Sequence, residues 1–242
     1  MIEFYKDDLS YIHDIGFGRF AEESAPGLLE ILRKKGIKNG RIIDLGCGSG
    51  IWASELVKAG YGVVGVDLSP SMIGMAQERV PEGIFHNTSF LKFKIPPCVA
   101  VTAIGEIFNY MFDETNCKKE LTRLFKRVHQ ALAPGGCFIF DLASPGRGTN
   151  IPNRFWEGED WAILVKIDEN REENILTRHI TTFRKDKTLY RRDHEIHRQQ
   201  LYTPSEIIDE LQHAGFQVRT LRGYGQHRFP RAHVGFIARK PA

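Results

Sequence analysis

The chain has 242 residues, of which 42% are hydrophobic, 26% charged and 11% aromatic. This composition is typical of a globular protein and excludes a disordered, collagen-like or coiled-coil chain. The net charge of +3 is too small to favour nucleic acid as a partner. The four cysteines lie far apart, so we expect reduced thiols and no metal site. Because no apolar run reaches about 18 residues and no signal peptide begins the chain, we expect a cytoplasmic protein without a membrane partner.

The first 142 residues alternate short apolar runs with segments of helical periodicity. Apolar spacing predicts strands at 41–45, 62–67, 99–104 and 137–141, and helices at 19–35, 52–59, 69–79 and 121–132. Ser69 and Pro70 predict the start of one helix as its N-cap and first residue. This alternation is typical of parallel β/α units and predicts an α/β fold.

The second part of the chain has a different pattern. A polar loop at 144–153 precedes a strand-like region at 161–198, in which residues 186–187 predict a hairpin turn. Thr203 and Glu206 then form the pattern of a capping box, which predicts a helix that ends at Gly215. Two final strands are predicted at 216–221 and 233–238.

The most informative motif is Asp44-Leu45-Gly46-Cys47-Gly48-Ser49-Gly50, between a predicted strand and a predicted helix. Alternating glycines allow a sharp turn and a close approach of the backbone to a ligand. The following helix directs free N–H groups at that turn. Asp67 ends the next predicted strand, where its carboxylate can accept hydrogen bonds from both hydroxyls of a ribose. The motif therefore predicts a site for a nucleoside-containing ligand.

With these residues, the sequence resembles the class I S-adenosylmethionine-dependent methyltransferases over essentially its whole length. Their first motif is matched by residues 44–50, their ribose-binding acid by Asp67, and their Leu-x-Pro-Gly-Gly turn by residues 132–136. The resemblance implies a Rossmann-like α/β fold, with a seven-stranded, mostly parallel sheet flanked by helices and an antiparallel β insert after strand 5. It implies one domain over 1–242, with an N-terminal lid at 1–18 and an insert at 150–200 that covers the substrate pocket.

The resemblance also implies S-adenosylmethionine as cofactor, S-adenosylhomocysteine as product, and no metal. Gly46 and Gly48 would shape the floor of the site, Asp44 would lie near the methionine ammonium, and Asp67 would hold the ribose. Many members place an acid after their third strand to accept from the adenine amino group; residues 85–90 are the corresponding stretch here, and Ser89 takes the place of the acid. The other cofactor contacts that we expect are Tyr11, Cys47, Gly50, Leu68, Met72, Phe90, Ile104 and Gly105.

Three residues are candidates for handling the methyl acceptor. Glu106 follows the predicted strand 99–104, which corresponds to the family's fourth strand, whose end faces the transferred methyl. It could accept a proton from an amine or hydroxyl or position it. Tyr110 is a candidate pocket residue, and His13 would reach the methyl from the lid together with Tyr11. The implied reaction is an in-line displacement, in which an acceptor nitrogen or oxygen attacks the methyl group. Alignment of the two reactants would supply most of the rate enhancement.

The small-molecule branch of the family is the best match, because the motif that DNA and glutamine N-methyltransferases carry after strand 4 is absent. Residues 146–242 contain 17 basic and 13 acidic residues and six of the nine histidines, which favours an anionic group on the acceptor. Three alternatives stay open: a non-catalytic domain that binds the cofactor, a protein or RNA methyltransferase, and an NAD site. The third requires a GxGxxG spacing that this chain lacks.

Overall fold

A computed structural model describes residues 4–149 and 153–242. The helices are α1 (Asp7–Phe17), α2 (Arg19–Lys34), α3 (Ile51–Lys58), α4 (Pro70–Arg79), α5 (Lys118–Ala131) and α6 (Pro204–His213). The strands are β1 (Arg41–Leu45), β2 (Gly62–Asp67), β3 (Ile84–Asn87), β4 (Cys98–Ala103), β5 (Leu132–Ala143), β6 (Arg154–Glu157), β7 (Trp161–Asn170), β8 (Ile175–Asp186), β9 (Leu189–Gln200), β10 (Gln217–Leu221), β11 (Gly223–Tyr224), β12 (His227–Arg228) and β13 (His233–Arg239).

A seven-stranded sheet forms the centre of the fold, in the order β10-β13-β5-β4-β1-β2-β3. The five strands from β5 to β3 are parallel to their neighbours, whereas β13 runs antiparallel to both β5 and β10. Helices cover both faces of the sheet, so the predicted Rossmann-like α/β class is confirmed. In such a sheet the carboxyl ends of the parallel strands meet along one edge, which is where ligands bind.

The local signals in the sequence act as expected at two helix starts. The Ser69 hydroxyl accepts a hydrogen bond from Met72 N, with Pro70 as the first residue of α4. Thr203 and Glu206 form the predicted capping box of α6. These bonds satisfy backbone N–H groups that would otherwise lack partners, so the starts of α4 and α6 are fixed by short-range chemistry.

Apolar side chains fill the space on each side of the sheet. On one side α5 buries Leu121, Leu124, Phe125 and Val128 against the aromatic rings of β5 and β13. On the other side α2 and α3 pack Leu28, Leu32 and Trp52 on β1 and β5. The sheet is therefore held between two cores, and its carboxyl-terminal edge is fixed in place.

A second sheet of four antiparallel strands, β6-β7-β8-β9, follows β5. Its inner face contributes Trp161, Ile163 and Ile180 to a small core with Leu9 and Ile12 of α1. The segment expected to precede the first helix as a lid is thus itself helical. The β insert and α1 together cover the carboxyl-terminal edge of the large sheet.

Two smaller differences from the sequence predictions concern strand ends. The Pro-Gly-Gly turn at 134–136 lies inside β5, which begins at Leu132 rather than at Cys137. The predicted polar loop at 144–153 ends near Arg154, where β6 begins, and residues 150–152 lie outside the described part of the chain. Within the described residues, no helix is long and apolar enough to cross a membrane.

Candidate functional site

A cavity of about 590 Å³ lies at the carboxyl-terminal edge of the large sheet. This volume is within the range of about 300–1,000 Å³ that small-molecule sites occupy. Its lining comes from the ends of β1, β2 and β4, from α1, from the β insert and from the β11–β12 hairpin. Of the residues predicted from the sequence, those that line it are His13, Asp44, Gly46, Cys47, Gly48, Asp67, Leu68, Met72, Phe90, Ile104, Gly105, Glu106 and Tyr110.

The glycine turn forms one end of the cavity. Gly46 and Gly48 have φ angles of 70° and 52°, which side chains rarely adopt. A Cβ atom on Gly46 would lie 2.6 Å from Ile107 Cγ2, whereas a Cβ on Gly48 would meet only Met72 Sδ at 4.0 Å. Gly46 therefore allows close packing of the turn, and Gly48 leaves bare backbone facing the cavity.

Asp67 is fixed by the turn beside it. Its Oδ2 accepts a hydrogen bond from Gly48 N at 3.0 Å, and its Oδ1 accepts one from Ser69 N at 2.9 Å. Each carboxylate oxygen keeps a second lone pair for a ligand in the cavity. Burial raises the pKa of Asp67, and the N–H groups of Ser69 and Gly48 partly offset that rise. The geometry is that of a rigid acceptor for two neighbouring hydroxyl groups.

Asp44 ends a buried chain of hydrogen bonds. The Trp52 indole N–H donates to Thr102 Oγ1 at 3.2 Å, and the Thr102 hydroxyl donates to Asp44 Oδ1 at 2.7 Å. Burial raises the pKa of Asp44 to about 7, against the opposing effect of the Thr102 hydroxyl. A cation in the cavity would favour the ionised form, so this carboxylate is suited to an ammonium group.

Cys47 lies in the same turn but is a protonated thiol. Burial raises its pKa well above the usual value, and the nearby Asp67 and Asp44 raise it further. Because the thiolate is the nucleophile in cysteine chemistry, this residue serves the shape of the turn and not a covalent step.

A second set of cavity-lining residues, here called the arginine end, consists of Glu106, Arg147, Arg178 and His233. Arg147 Nε donates to Glu106 Oε1 at 2.7 Å, and Arg178 Nη2 donates to Glu106 Oε2 at 2.8 Å. Burial alone would raise the pKa of Glu106, but Arg178 and Arg147 outweigh it and hold the pKa well below its usual range. A carboxylate paired in this way is a poor proton acceptor.

Asp141, at the end of β5, holds the backbone that presents Glu106. Its two oxygens accept hydrogen bonds from Gly105 N at 2.8 Å each, and Oδ1 accepts another from Glu106 N at 2.9 Å. Glu106 has a φ of 62°, an unfavourable value for a residue with a side chain. Asp141 also lies 3.2 Å from His233 Nε2. This strained turn persists because the buried carboxylate compensates it.

Aromatic rings form the wall between the two ends. The Tyr110 hydroxyl accepts from Arg178 Nη1 at 3.1 Å and lies 3.3 Å from the Tyr5 hydroxyl. His13 packs edge-on against Tyr5, with ring centroids 5.2 Å apart. Burial, with smaller effects from His197 and Arg178, lowers the pKa of His13 to about 4. The His13 imidazole is therefore neutral near pH 7 and can accept a hydrogen bond.

Three residues predicted as cofactor contacts do not line the cavity. The Tyr11 hydroxyl points at Asp160 of the insert, and its ring lies 3.7 Å beneath the Arg184 guanidinium. Gly50 caps α3, where a Cβ would lie 3.0 Å from Ala76 Cα of α4. The Ser89 hydroxyl is buried and accepts from Leu91 N. Tyr11 thus fastens α1 to the insert, and the other two stabilise backbone turns.

The structure also brings in cavity residues that sequence reasoning missed. Arg147 and Arg178 lie 41 and 72 positions from Glu106, and no local pattern links them. Asp113, in the loop before α5, lines the cavity with Thr88 and Phe90. In the sequence, only the excess of basic residues after position 145 could have indicated that arginines contribute to the cavity.

Two sets of bonds fasten α1 over the cavity. Asp14 accepts a hydrogen bond from the Ser49 hydroxyl in the glycine turn and two from Arg79 of α4, both at 2.9 Å. At the other end, Glu195 of β9 accepts from Tyr5 N at 2.8 Å and Lys6 N at 3.0 Å. The N-terminal segment therefore joins the glycine turn to the insert.

On β9 of the insert, His194 is exposed on the outer face and His197 is buried on the inner face. His197 Nε2 lies 2.7 Å from Glu195 Oε2 behind the cavity wall. In the described part of the chain, no three His, Cys, Asp or Glu side chains form a group that could hold a metal ion.

Comparisons with known proteins agree with this geometry. Residues 17–221 match the family described as the methyltransferase domain. A protein of Geobacillus sp. (strain WCH70) named as a methyltransferase is 30% identical over 192 residues, which cover 74% of each chain. An S-adenosylmethionine-dependent methyltransferase from Clostridium acetobutylicum has a similar structure, with a TM-score of 0.82, 18% identity and coverage of 96% of this chain and 98% of that one.

The sugar N-methyltransferase KedS8 from Streptoalloteichus sp. also has a TM-score of 0.82, at 19% identity, over 100% of this chain and 96% of its own. The fold and its cavity define a class I methyltransferase architecture. By its sequence, the chain belongs to the methyltransferase-domain family, and the protein is an S-adenosylmethionine-dependent methyltransferase.

Proposed function

We propose that the cavity binds S-adenosylmethionine at the glycine turn and a small-molecule acceptor at the arginine end, and that the methyl group passes to a nitrogen or oxygen of that acceptor. The observation that carries the proposal is that one cavity joins the two ends. Asp44, Gly48 and Asp67 line one end, and Glu106 and Arg178 line the other. Because both sets of residues line the same cavity, a cofactor and an acceptor bound there would lie next to each other.

The residues of the glycine turn fit the cofactor. The paired lone pairs of Asp67 suit the two ribose hydroxyls, and the buried Asp44 carboxylate suits the methionine ammonium. Leu68, Met72 and Phe90 provide an apolar slot for the adenine. When bound, the cofactor supplies a methyl group that its sulfonium already activates, so the chain needs no covalent nucleophile.

We assign to Asp113 the contact with the adenine amino group that the sequence predicts for Ser89. Its Oδ2 is buried, has no hydrogen bond of ordinary geometry within the described chain, and has Lys92 Nζ 3.9 Å away. Burial raises the pKa of Asp113, but Ser89 and Thr115 outweigh it, so the carboxyl group is ionised at neutral pH. A buried, ionised acceptor beside Phe90 suits the adenine amino group.

The chain's own residues then orient the acceptor and exclude water. Helix α1 and the insert close the cavity, and Tyr110 and Tyr5 border the space between the two ends. His13 is neutral and can accept a hydrogen bond from the N–H or O–H that is to be methylated. Glu106 holds two arginines in place and does not accept the proton. Holding the cofactor and the acceptor in the right geometry raises their effective concentration, which accelerates the transfer.

A small acceptor is supported by the cavity volume of about 590 Å³ and by the similar fold of KedS8, a sugar N-methyltransferase. A protein or RNA substrate would need an open face instead. The test is transfer of a labelled methyl group from S-adenosylmethionine to metabolite pools, followed by mass spectrometry of the products. A product heavier by one methyl group supports the proposal. Cofactor binding without transfer to any pool would favour a non-catalytic binding domain.

The cofactor assignment predicts a clear effect for Asp67→Ala. The variant loses two charge-assisted hydrogen bonds to the ribose, each worth about 1.5–3 kcal/mol. We expect its affinity for S-adenosylhomocysteine, measured by calorimetry, to fall at least about tenfold. The exposed Asp209 on α6 provides a matched control, and Asp209→Ala should bind as the wild type does. Equal affinity in both variants would refute the assignment of Asp67 to the ribose.

A further inference from the structure

The arginine end contains donor groups that the protein itself does not use. Glu106 accepts from Arg147 with one oxygen and from Arg178 with the other, and Gln199 Nε2 lies 3.3 Å from the second oxygen. Arg178 also donates to the Tyr110 hydroxyl. The carboxylate is therefore saturated by its neighbours, and Arg178 is held from two sides.

Among the described residues, the Arg147 side chain has a hydrogen-bond partner at Nε alone. Its Nε donates to Glu106, while neither Nη1 nor Nη2 has a hydrogen-bond partner among the described residues. The side chain lines the cavity and is 20% exposed. The two terminal nitrogens of a guanidinium form a planar fork that matches the two oxygens of a carboxylate or phosphate. An oriented fork of this kind at a cavity wall has the geometry of an anion-binding group.

The surrounding charges leave this fork available. Glu106 and Asp141 balance Arg147 and Arg178 in formal charge, but the Asp141 oxygens are occupied by the backbone N–H groups of Gly105 and Glu106. Arg228 of the β11–β12 hairpin also lines the cavity and adds a positive charge. An anion that reaches Arg147 thus meets donor groups that no protein acceptor uses among the described residues.

We propose that the terminal edge of Arg147 binds an anionic group, a carboxylate or a phosphate, on the methyl acceptor. Glu106 is then a positioning residue, which holds the Arg147 guanidinium by its Nε so that the fork faces the cavity. This inference rests on the proposed function, since it names the class of acceptor that shares the cavity with the cofactor. It also gives a structural basis to the excess of basic residues in the second part of the chain.

The experiment uses the full chain loaded with S-adenosylhomocysteine, so that the cofactor end is filled. Inorganic phosphate in one series and acetate in another are titrated by calorimetry into the wild type, Arg147→Gln, Arg147→Lys and Arg192→Gln. Arg192 lies exposed on the outer face of β9, so its variant removes the same charge away from the cavity. We expect Arg147→Gln to weaken binding of the preferred anion at least about tenfold, Arg147→Lys to weaken it less, and Arg192→Gln to leave it unchanged.

Tighter binding of phosphate than of acetate would point to a phosphate-bearing acceptor, and the reverse order to a carboxylate. The proposal is overturned if the loaded wild type binds neither anion, or if Arg147→Gln and Arg192→Gln weaken binding equally. An unchanged affinity of Arg147→Gln for S-adenosylhomocysteine shows that the variant is folded. Because the titration needs no methyl transfer, a failure of the proposed reaction would be seen separately, as absent transfer with intact anion binding.

Discussion

Glu106 lies where the sequence predicts, after β4, but its carboxylate is already paired. The sequence left two roles open, to accept a proton from the methyl acceptor or to position it. In the structure both of its oxygens bind arginines, which lie on the loop after β5 and on β8. No sequence pattern pairs residues that distant, because the β insert must fold before Arg178 reaches the cavity.

The Glu106 pairing leads to a prediction for Glu106→Gln. The amide carries no charge, so two partly buried guanidinium groups lose their counter-ion. Breaking a fully buried pair costs about 3–5 kcal/mol, so we expect a smaller loss here. We expect a lower free energy of unfolding in denaturant titrations and a raised KM for the acceptor, with S-adenosylhomocysteine affinity nearly unchanged. Glu172→Gln, at an exposed turn, is the control. Full stability in Glu106→Gln would contradict the importance of these ion pairs.

Asp44 predicts how cofactor binding depends on pH. Its pKa is raised to about 7 by burial. In the proposed function, the cofactor ammonium binds the ionised form. At pH 6 most Asp44 carries a proton that must leave on binding, so affinity should rise about fivefold to tenfold between pH 6 and 7.5. Calorimetry in buffers of different ionisation enthalpy should show proton release in this window. Asp44→Asn should remove the release, and a variant that still released the proton would disprove this assignment.

At the scale of elements, agreement between sequence and structure follows how local the driving force is. β1 and β2 begin and end at the predicted residues, and α4 starts with the predicted Ser69 cap, because apolar runs and caps act within a few residues. Helix α1 was predicted as a lid but not as a helix. Its buried face is completed by the insert's Trp161 and Ile163, which lie far along the chain.

The bonds of α1 to the glycine turn predict that Asp14 slows cofactor release. Asp14→Asn loses the ion pair with Arg79 and weakens the bond to Ser49. A partly exposed pair contributes on the order of 1 kcal/mol, so release of S-adenosylhomocysteine should accelerate about threefold to tenfold in stopped-flow experiments. Glu22→Gln on α2 removes a carboxylate that takes no part in these bonds and should release the ligand at the wild-type rate. The same rate in Asp14→Asn would show that these bonds do not close the site.

For the molecule as a whole, the cavity assembles residues from nearly every part of the chain. That the glycine turn and Asp67 line one cavity was predictable, since they follow adjacent strands of a known type of sheet. The arginine end was not, because Arg147, Arg178 and His233 come from the loop after β5, the insert and the last strand. Asp113 was not predicted either, because it follows a short turn at 107–109 where the sequence has no periodic pattern.

The link between the N-terminal segment and the insert predicts that the two open together. Glu195 binds the N–H groups of Tyr5 and Lys6, so those amides can exchange with solvent only when the contact breaks. We expect S-adenosylhomocysteine to slow hydrogen exchange at Tyr5, Lys6 and the inner face of β9 by a similar factor, measured by mass spectrometry. The backbone amides of the exposed β8–β9 turn should exchange with solvent at the same rate with and without the ligand. Protection of the N-terminal segment alone would argue against joint opening.

The Tyr5 carbonyl accepts the Ser69 hydroxyl beside Asp67, while the Tyr5 amide is held by Glu195 of the insert. A single peptide segment is thus bonded to the walls of both ligand compartments. We therefore expect one event, the release of this segment, to expose the proposed cofactor and acceptor compartments together.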